Sequence, residues 1–263
     1  MVVTGERTGR LLAPGERFHN QTGHSQYVLD CRGRLVRIKD ESEYRAAGSS
    51  PQTAPWFAEV AGALSAYRAR TMRLEKLLAR MAGGGEQPAD TVESFLVYPV
   101  GARLVELPDA FRWQGLAPVI FSIFPADSGG PLVVRSVEDS LLDGRSLEGL
   151  LEKGRWYGWR ITSGDSSFSS SFSLLPESDL TGLSDLLLAI SEAEAADPLA
   201  AVNAFGWLAL KAQWLAGSFL FYEARAVIRE AEQKAGIPAA RLRELLVEVR
   251  RLQRYAHLLP SGD

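Results

Sequence analysis

The sequence has one cysteine and three histidines in 263 residues. A single cysteine, Cys31, allows no internal disulfide, which fits a reducing compartment. Cys31 lies among strand-forming residues in YVLDCRGRLVRI, so we predict a buried, small apolar side chain rather than a nucleophile. None of His19, His24 and His257 has neighbours at the spacing of a zinc site. We therefore expect no metal ion.

Long apolar runs free of charge are also missing. The opening MVVTGERTGRLLAPGE carries charges and glycines where a secretion signal needs an apolar core. The most apolar window, 199–222, contains Lys211 and Gln213 near its middle. A central lysine costs about 2.5–3.5 kcal/mol of membrane insertion energy. We predict a buried helix of a cytoplasmic protein and no membrane insertion. Neither a dinucleotide fingerprint nor a Walker pattern occurs, so we expect no cofactor.

The composition is that of a globular protein, with 46% hydrophobic and 23% charged residues. Charge divides unevenly along the chain. Residues 1–83 hold 13 Lys and Arg against 8 Asp and Glu, a net charge of +5, and residues 84–263 hold 16 against 24, a net charge of −8. This split indicates either an electrostatic partner surface or ordinary variation between domains.

Turn signals and periodicity predict an α+β multidomain protein. Residues 92–175 contain six strand-like runs separated by turns: ESFLVYP, AFRWQG, PVIFSIFP, PLVVRSV, WYGWRIT and SFSSSFSLL. The predicted segments are a small β module over 1–52, a long amphipathic basic helix over 53–82, a flexible linker over 83–91, an antiparallel β-sandwich over 92–176 and a C-terminal α-helical bundle over 177–263.

The long helix is predicted to begin with Thr53 as its cap and Pro55 in its first turn. Its apolar positions recur at spacings of three and four, which places them on one face. Its other faces are basic. This pattern favours either a partner helix or packing on the same chain, and aromatic residues are too scarce to favour nucleic acid, which we do not expect as a partner.

Four helices are predicted after the sandwich. Ser178 is expected to cap the first, Asp197-Pro198 to open a second over 198–216, a third to cover 219–235, and Pro238 to start the fourth. Short connections fit an antiparallel arrangement.

The stretch FPADSGGPLVV contains Asp127-Ser128-Gly129-Gly130, the order found around the nucleophile of trypsin-like serine proteases. A triad also needs a histidine in reach of the serine and an acid that orients it. No histidine stands in such a context. We predict a hairpin loop, because Asp-Ser-Gly-Gly supplies residues that tolerate positive φ, and no catalytic residue. A trypsin-like serine hydrolase that uses Ser128 remains the enzymatic alternative.

Residues 94–175 resemble a bacterial fibronectin type III-like domain. The residues that carry the resemblance are Pro108, Phe111, Trp113, Phe121, Ile123, Leu151, Gly154, Tyr157, Trp159 and Ile161. The resemblance implies an Ig-like sandwich with Trp113 and Trp159 in its core, and it implies no chemistry.

Two weaker resemblances flank this domain. Residues 9–46, with Pro-Gly-Glu, YVLDCRGRLVRI and DESEY, are similar to the small β modules of FecR-like regulatory proteins. Residues 203–236 are similar to a tetratricopeptide-like helical hairpin, which we expect to pack on the sandwich. The matching positions of that hairpin are Leu208, Ala209, Gly217, Phe219, Glu223, Ala224 and Ala231.

These observations predict a non-enzymatic regulatory or adaptor protein that binds and sequesters a protein partner. Similar module orders imply a sigma factor or a component of a caspase-like protease system as the partner. A cell-envelope structural module is a further alternative. The expected partner-binding residues are Val60, Leu64, Tyr67, Arg68, Arg70, Arg73, Leu74, Lys76, Leu78, Trp207, Trp214, Phe219 and Phe221. A hypothetical cleavage switch would use the linker residues Gly83, Gly84, Gly85, Glu86 and Gln87.

Overall fold

The computed structural model describes residues 2–4, 10, 12–13, 15–23, 25–46, 53–83, 96–233 and 237–255. Over these residues the chain is α+β, as predicted, with helices and several sheets that are antiparallel except for one strand pair. It forms two compact units, each from two separate stretches. Unit 1 comprises Met1–Met72 and Gly182–Arg250, and unit 2 comprises Arg73–Thr181 and Arg251–Asp263. The five predicted domain segments stay a prediction.

Short strands open unit 1: β1 (Val2–Thr4), β2 (Arg17–His19), β3 (Gln26–Leu29), β4 (Leu35–Ile38) and β5 (Glu43–Arg45). They form a sheet in the order β1-β3-β4 and a separate β2-β5 pair. Strands β3 and β4 form a hairpin, because they pair antiparallel with Val28 opposite Val36. The small core beneath them contains Leu12, Phe18, Val28, Ile38 and Ala46.

The turn between β3 and β4 depends on Asp30. The Asp30 Oδ1 atom accepts hydrogen bonds from the backbone N–H of Arg32 and Arg34, and Gly33 adopts a φ of 81°. Such a turn needs a residue that tolerates the left-handed region, and glycine does so without steric cost. Cys31 lies in this turn and is half-buried. The prediction of a buried Cys31 is therefore wrong, because the residue lies in the turn and not in either of the two strands.

Five α-helices occur in the described residues: α1 (Phe57–Gly83), α2 (Glu177–Ala195), α3 (Ala200–Gly217), α4 (Phe221–Glu232) and α5 (Ala239–Tyr255). All five were predicted. The predicted caps are wrong for two of them. Helix α1 begins after a turn at Pro55 and Trp56, so Thr53 precedes it, and Ser178 lies inside the first turn of α2.

Within unit 1, helix α3 is buried on nearly all of its sides. Every residue from Gly206 to Gly217 except Lys211 is buried. A Cβ atom on Gly206 would lie 2.4 Å from the Tyr27 ring, and one on Gly217 would lie 2.3 Å from the Ala63 carbonyl oxygen. Gly206 therefore allows α3 to approach β3 closely, and Gly217 allows α3 to approach α1 closely. A helix buried all round is apolar all round, which explains the composition of 199–222.

The 203–236 hairpin makes contacts within unit 1, and its predicted packing on the sandwich stays a prediction. Helix α3 packs against β1 and β4, and the Asn203 Nδ2 atom donates a hydrogen bond to the Leu35 carbonyl at 3.3 Å. Apolar periodicity identifies a helix face but not the element that covers it. None of the helices that the structure describes is both long and apolar enough to cross a membrane.

Unit 2 contains the strands β6 (Leu96–Tyr98), β7 (Ala102–Leu104), β8 (Ala110–Trp113), β9 (Val119–Pro125), β10 (Val133–Val137), β11 (Leu141–Asp143), β12 (Trp156–Ser163) and β13 (Ser166–Leu174). A five-stranded sheet has the order β10-β9-β12-β13-β7, and a three-stranded sheet has the order β11-β8-β6. The six predicted strands are present. Strands β7 and β11 were not predicted, and β7 pairs parallel with β13.

Aromatic side chains from both sheets form the core of unit 2. The Phe111 ring of β8 lies 5.3 Å from Phe121, 5.5 Å from Trp159 and 5.3 Å from Phe172, all in edge-to-face contact. Such pairs stabilise by more than their buried area alone. Trp113 and Trp159 are both buried, as the resemblance implied. The Trp159 indole N–H donates to the Pro99 carbonyl at 2.7 Å, so burial leaves its polar atom satisfied.

Tyr157 fixes the chain that enters β12. Its hydroxyl oxygen accepts a hydrogen bond from the Glu152 backbone N–H at 2.7 Å, five residues upstream. Gly154, between them, adopts a φ of 84°, which a residue with a side chain rarely adopts. The spacing Leu151-x-x-Gly154-x-x-Tyr157 thus encodes a turn whose end is held by the tyrosine.

The segment 124–134 joins β9 to β10, so the predicted hairpin is confirmed. The loop does not use the tolerance of glycine for positive φ, because neither Gly129 nor Gly130 has φ in the left-handed region. The Ser128 backbone N–H donates to the Pro125 carbonyl at 3.2 Å, and the exposed Ser128 hydroxyl reaches only the Gly130 carbonyl, at 3.5 Å.

Candidate protein-binding surface

Most apolar residues expected to bind a partner are buried. At most 2% of the surface of each is exposed, so they form core contacts and present no surface to a partner in this conformation. This group comprises Val60, Leu64, Tyr67, Leu74, Trp207, Trp214 and Phe221. Burial, with the Glu248 carboxylate nearby, raises the pKa of the Tyr67 phenol well above its ordinary value. The side chain of Leu78 lies outside the described residues.

Two further residues of that set, Arg70 and Phe219, contact each other. The Arg70 guanidinium carbon lies 3.8 Å from the centre of the Phe219 ring, and its Nη1 donates to the Gly217 carbonyl. Gly217 is the last residue of α3, where the helix dipole favours a cation. The structure brings these two residues together as a link between α1 and the end of α3.

The remaining basic residues of α1 lie toward solvent. Arg68 is half-buried, whereas Arg73 and Lys76 are exposed. Of the predicted cleavage linker, Gly83 is the last residue of α1. Gly84, Gly85, Glu86 and Gln87 lie outside the described residues.

A different set of apolar side chains is exposed on the five-stranded sheet. Because Phe121 and Ile123 point into the core, Ile120 and Phe124 point to the outer face of β9. On β10, Val134 lies opposite Ser122 and hence diagonally between Ile120 and Phe124. Ile120 is 52% exposed and Val134 is 59% exposed.

Leu132 extends this surface beyond the end of β10. Its backbone N–H donates to the Ile123 carbonyl at 2.7 Å, and 44% of its surface is exposed. We call Ile120, Phe124, Leu132 and Val134 the outer-face patch. Single exposed apolar residues are common on soluble proteins, whereas neighbouring ones mark interaction sites.

Phe124 lies flat on the sheet because its neighbour on β12 has no side chain. Gly158 is opposite Phe124, and a Cβ atom at Gly158 would lie 2.2 Å from the Phe124 ring. The Arg160 guanidinium carbon lies 5.1 Å from the centre of the same ring. A cation over an aromatic face is favourable, so Arg160 places an exposed positive charge beside the patch.

The other side of this face is small and polar. Ser167, Ser169 and Ser171 of β13 lie opposite the outward residues Thr162, Arg160 and Gly158 of β12. The outer face therefore changes from apolar on β9 and β10 to hydroxyl-bearing on β13, with Arg160 between the two halves.

A carboxylate and a guanidinium pair at the loop end of the patch. The Asp127 Oδ1 atom accepts hydrogen bonds from Arg155 Nη2 at 2.6 Å and Nε at 3.2 Å. Hydrogen bonding from Arg155 holds the pKa of the Asp127 carboxyl below its ordinary value. The acid that precedes Ser128 thus contacts a guanidinium. In the part of the chain that the structure describes, no three His, Cys, Asp or Glu residues form a group that could hold a metal ion.

Sequence reasoning missed the outer-face patch. The signal was present in PVIFSIFP, where the apolar residues occupy both alternating sets of positions, and in the glycine of WYGWRIT, which leaves space for Phe124. No protein-family model and no curated protein sequence matches the chain. Functional inference therefore depends on this geometry.

Proposed function

We propose that the chain is a non-enzymatic regulatory or adaptor protein that binds a protein partner through the outer-face patch. The single observation that carries the proposal is the adjacency of Ile120, Leu132 and Val134, each with close to half of its surface exposed or more. Exposed apolar side chains on one sheet face favour association because burial removes them from water.

The chemistry of the face defines the surface that fits it. Aliphatic side chains on β9 and β10 favour an apolar contact at the centre, and Arg160 favours a carboxylate at the border. The partner is therefore a folded protein with an apolar contact surface that is flanked by an Asp or Glu opposite Arg160. The partner classes implied by the resemblances are a sigma factor and a component of a caspase-like protease system, and binding would sequester that partner in the cytoplasm.

The fold proposed for the binding module is an Ig-like sandwich of the fibronectin type III-like kind. The strand orders β11-β8-β6 and β10-β9-β12-β13-β7 support it. The Tyr157 hydroxyl, bonded to the backbone just before β12, supports it as well, because a tyrosine corner at this position recurs in such sandwiches. Domains of this kind bind or space other proteins and carry no chemistry by themselves.

The flanking modules are proposed on weaker support. The β3–β4 hairpin supports a FecR-like module, and the α3–α4 hairpin supports a tetratricopeptide-like arrangement within a helical bundle. A FecR-like module agrees with a regulatory role. Neither module is needed for the patch to bind.

Affinity capture with the full chain in its native host tests the proposal. We expect the wild type and a Val247→Lys control to recover the same partner in stoichiometric amount. Val134→Lys should lose that partner because it places a charge in the patch. The control is matched, since Val247 is 60% exposed on α5 of unit 1 and Val134 is 59% exposed.

Charge reversal at Arg160 provides the second arm. Arg160→Glu should weaken capture of the same partner, and raised salt should weaken wild-type capture only modestly because the contact is mainly apolar. A partner that Val134→Lys retains, or a wild type that purifies as a monodisperse monomer with no partner, would contradict the proposal.

A further inference from the structure

A tyrosine of unit 1, Tyr27 on β3, has a buried ring and a hydroxyl without a partner. Only 4% of its surface is exposed, and its ring lies against Gly206 of α3, where a Cβ atom would be 2.4 Å away. Its hydroxyl forms no hydrogen bond with any residue that the structure describes. Buried tyrosines usually bond through the hydroxyl, so this group is available to a ligand.

Arg37 lies beside Tyr27 on the neighbouring strand. The two residues are directly opposite each other in the β3–β4 pairing, so their side chains share the sheet face that α3 covers. The Arg37 Nε atom donates to the Ser25 hydroxyl oxygen at 2.9 Å, and among the described residues no carboxylate pairs with Arg37. The bond to Ser25 holds the exposed guanidinium in place and leaves its two Nη groups to donate to a ligand.

A second guanidinium approaches the same tyrosine from α5. The Arg241 guanidinium carbon lies 4.6 Å from the centre of the Phe205 ring, and that ring centre lies 6.4 Å from the centre of the Tyr27 ring. A guanidinium held over an aromatic face keeps its N–H edge for an anion. Glu244, three residues later on α5, is exposed and forms no ion pair with Arg241 in the described part of the chain.

Both guanidiniums act on the Tyr27 phenol. Burial raises the pKa of that phenol above its ordinary value, and the positive charges of Arg37 and Arg241 oppose the shift. The two guanidiniums have only donors, and the phenol can donate as well. Such a set suits an anion that carries two charges and several oxygens.

We propose that Tyr27, Arg37 and Arg241 bind a phosphate monoester in its dianionic form. The two guanidiniums donate to phosphate oxygens and neutralise the two charges, and the Tyr27 hydroxyl donates to a further oxygen. A carboxylate has one charge and two oxygens, so it would use fewer of these donors. The inference goes beyond partner binding, since these three residues belong to unit 1 and the outer-face patch belongs to unit 2.

Titration of the full chain with three aromatic anions tests the ligand class. Phenyl phosphate carries about two negative charges at pH 8, phenyl sulfate has the same tetrahedral shape with one charge, and benzoate has one charge on a planar group. In calorimetry, phenyl phosphate should bind about tenfold or more tightly than either of the others. Inorganic phosphate should displace it. Equal affinity for the three anions, or no binding of phenyl phosphate, would overturn the proposal.

Two further probes distinguish the sources of a phosphate monoester. Glycerol 3-phosphate represents a small metabolite, and a phosphoserine peptide represents a phosphorylated protein. Preference for one of them over its unphosphorylated form supports the proposal and identifies the source. An oligonucleotide that binds more tightly than both would indicate a phosphodiester ligand and contradict it.

Variants locate the site and separate binding from folding. Tyr27→Phe removes a hydroxyl without a described partner, so it should leave the urea midpoint unchanged and weaken phenyl phosphate about threefold to tenfold. Arg37→Gln, at an exposed position, should weaken it about tenfold or more. Arg45→Gln is the control, because Arg45 is exposed on β5 and its loss removes the same charge. An equal loss of affinity in Arg45→Gln and Arg37→Gln, or unchanged affinity in Tyr27→Phe, would contradict the site.

Discussion

Arg70 of α1 covers the turn that ends α3, with its guanidinium carbon 3.8 Å from the centre of the Phe219 ring and a hydrogen bond to the Gly217 carbonyl. Phe219 has a φ of 64°, in the left-handed region that bulky residues rarely adopt. Its N–H donates to Ala216, and the Leu220 N–H donates to Leu215. These bonds form a Schellman motif with phenylalanine where glycine is usual.

Removal of the guanidinium should therefore destabilise unit 1. We expect Arg70→Ala to lower the free energy of unfolding by about 1–2 kcal/mol, through loss of the cation–π contact and of the charge at the helix end. Arg73→Ala, on the same helix but exposed, should change it by less than about 0.5 kcal/mol. Urea unfolding followed by far-UV circular dichroism measures both, and equal effects would refute a role for the contact.

Only glycine should fit at position 217, because a side chain there would clash with α1. A Cβ atom there meets the Ala63 carbonyl oxygen at 2.3 Å, so we expect Gly217→Ala to destabilise by about 1–3 kcal/mol. Gly62 of α1 has open space around it, and Gly62→Ala should stabilise by about 0.5–1 kcal/mol through helix propensity. Thermal melting of the two variants tests the close packing of α1 and α3. A Gly217→Ala variant with the same melting temperature as the wild type would contradict this packing.

The Tyr157 hydroxyl should stabilise unit 2. Tyr157→Phe leaves the Glu152 N–H without its acceptor and should cost about 1–2 kcal/mol. Chemical denaturation monitored by tryptophan fluorescence reports this, since Trp113 and Trp159 lie in the same core. A cost below about 0.3 kcal/mol would show that water replaces the hydroxyl as the hydrogen-bond acceptor, and it would contradict the prediction.

Stability should fall at acidic pH through Asp197. Burial raises the pKa of its carboxyl, but hydrogen bonds from Asn203, Trp207 and the Leu199 N–H lower it more, so the folded-state pKa lies below its ordinary value. A depressed carboxyl pKa contributes stability that is present above the unfolded-state pKa and is lost as pH falls through the folded-state value.

Asp197→Asn should therefore destabilise at pH 7, and the difference from wild type should shrink below about pH 4. Unfolding curves at several pH values measure it. Asp185→Asn, an exposed position on α2, serves as the control. A difference in the free energy of unfolding that stays constant between pH 7 and pH 3 would contradict the prediction. It would show that Asp197→Asn acts by changing the hydrogen-bond geometry and not by removing the charge.

Ser128→Ala should leave function unchanged. The hydroxyl is exposed in the β9–β10 loop and the preceding carboxylate contacts Arg155. We expect a fluorophosphonate probe to label neither the wild type nor the variant. A band that the wild type shows and Ser128→Ala lacks would establish the serine hydrolase alternative.

Local pattern predicted the helices and the longer strands but not the pairing between distant segments. The two strands that were missed, β7 and β11, have three residues each, too few for alternation to register. Helix α3 was identified by its apolar composition, yet its contacts with Tyr27 and Ala63 lie far away in the chain. Such contacts depend on tertiary packing that periodicity does not encode.

The binding face illustrates the same limit. In β9 the inward residues Phe121 and Ile123 and the outward residues Ile120 and Phe124 are equally apolar. The face of β9 that carries Phe121 is buried because Phe111 of the other sheet packs against it. The sequence of a strand that is apolar on both faces indicates an exposed apolar surface but does not identify which face is exposed.

The division of unit 1 into Met1–Met72 and Gly182–Arg250 has a consequence for any proteolytic switch at residues 83–90. A cut in the linker would sever the backbone between these stretches but leave the contacts of Arg70 with Phe219 and of Ala63 with Gly217 in place. The products would remain a nicked, noncovalent pair of fragments. They would co-elute in native buffer and separate only in denaturant, so cleavage alone would not separate the two fragments.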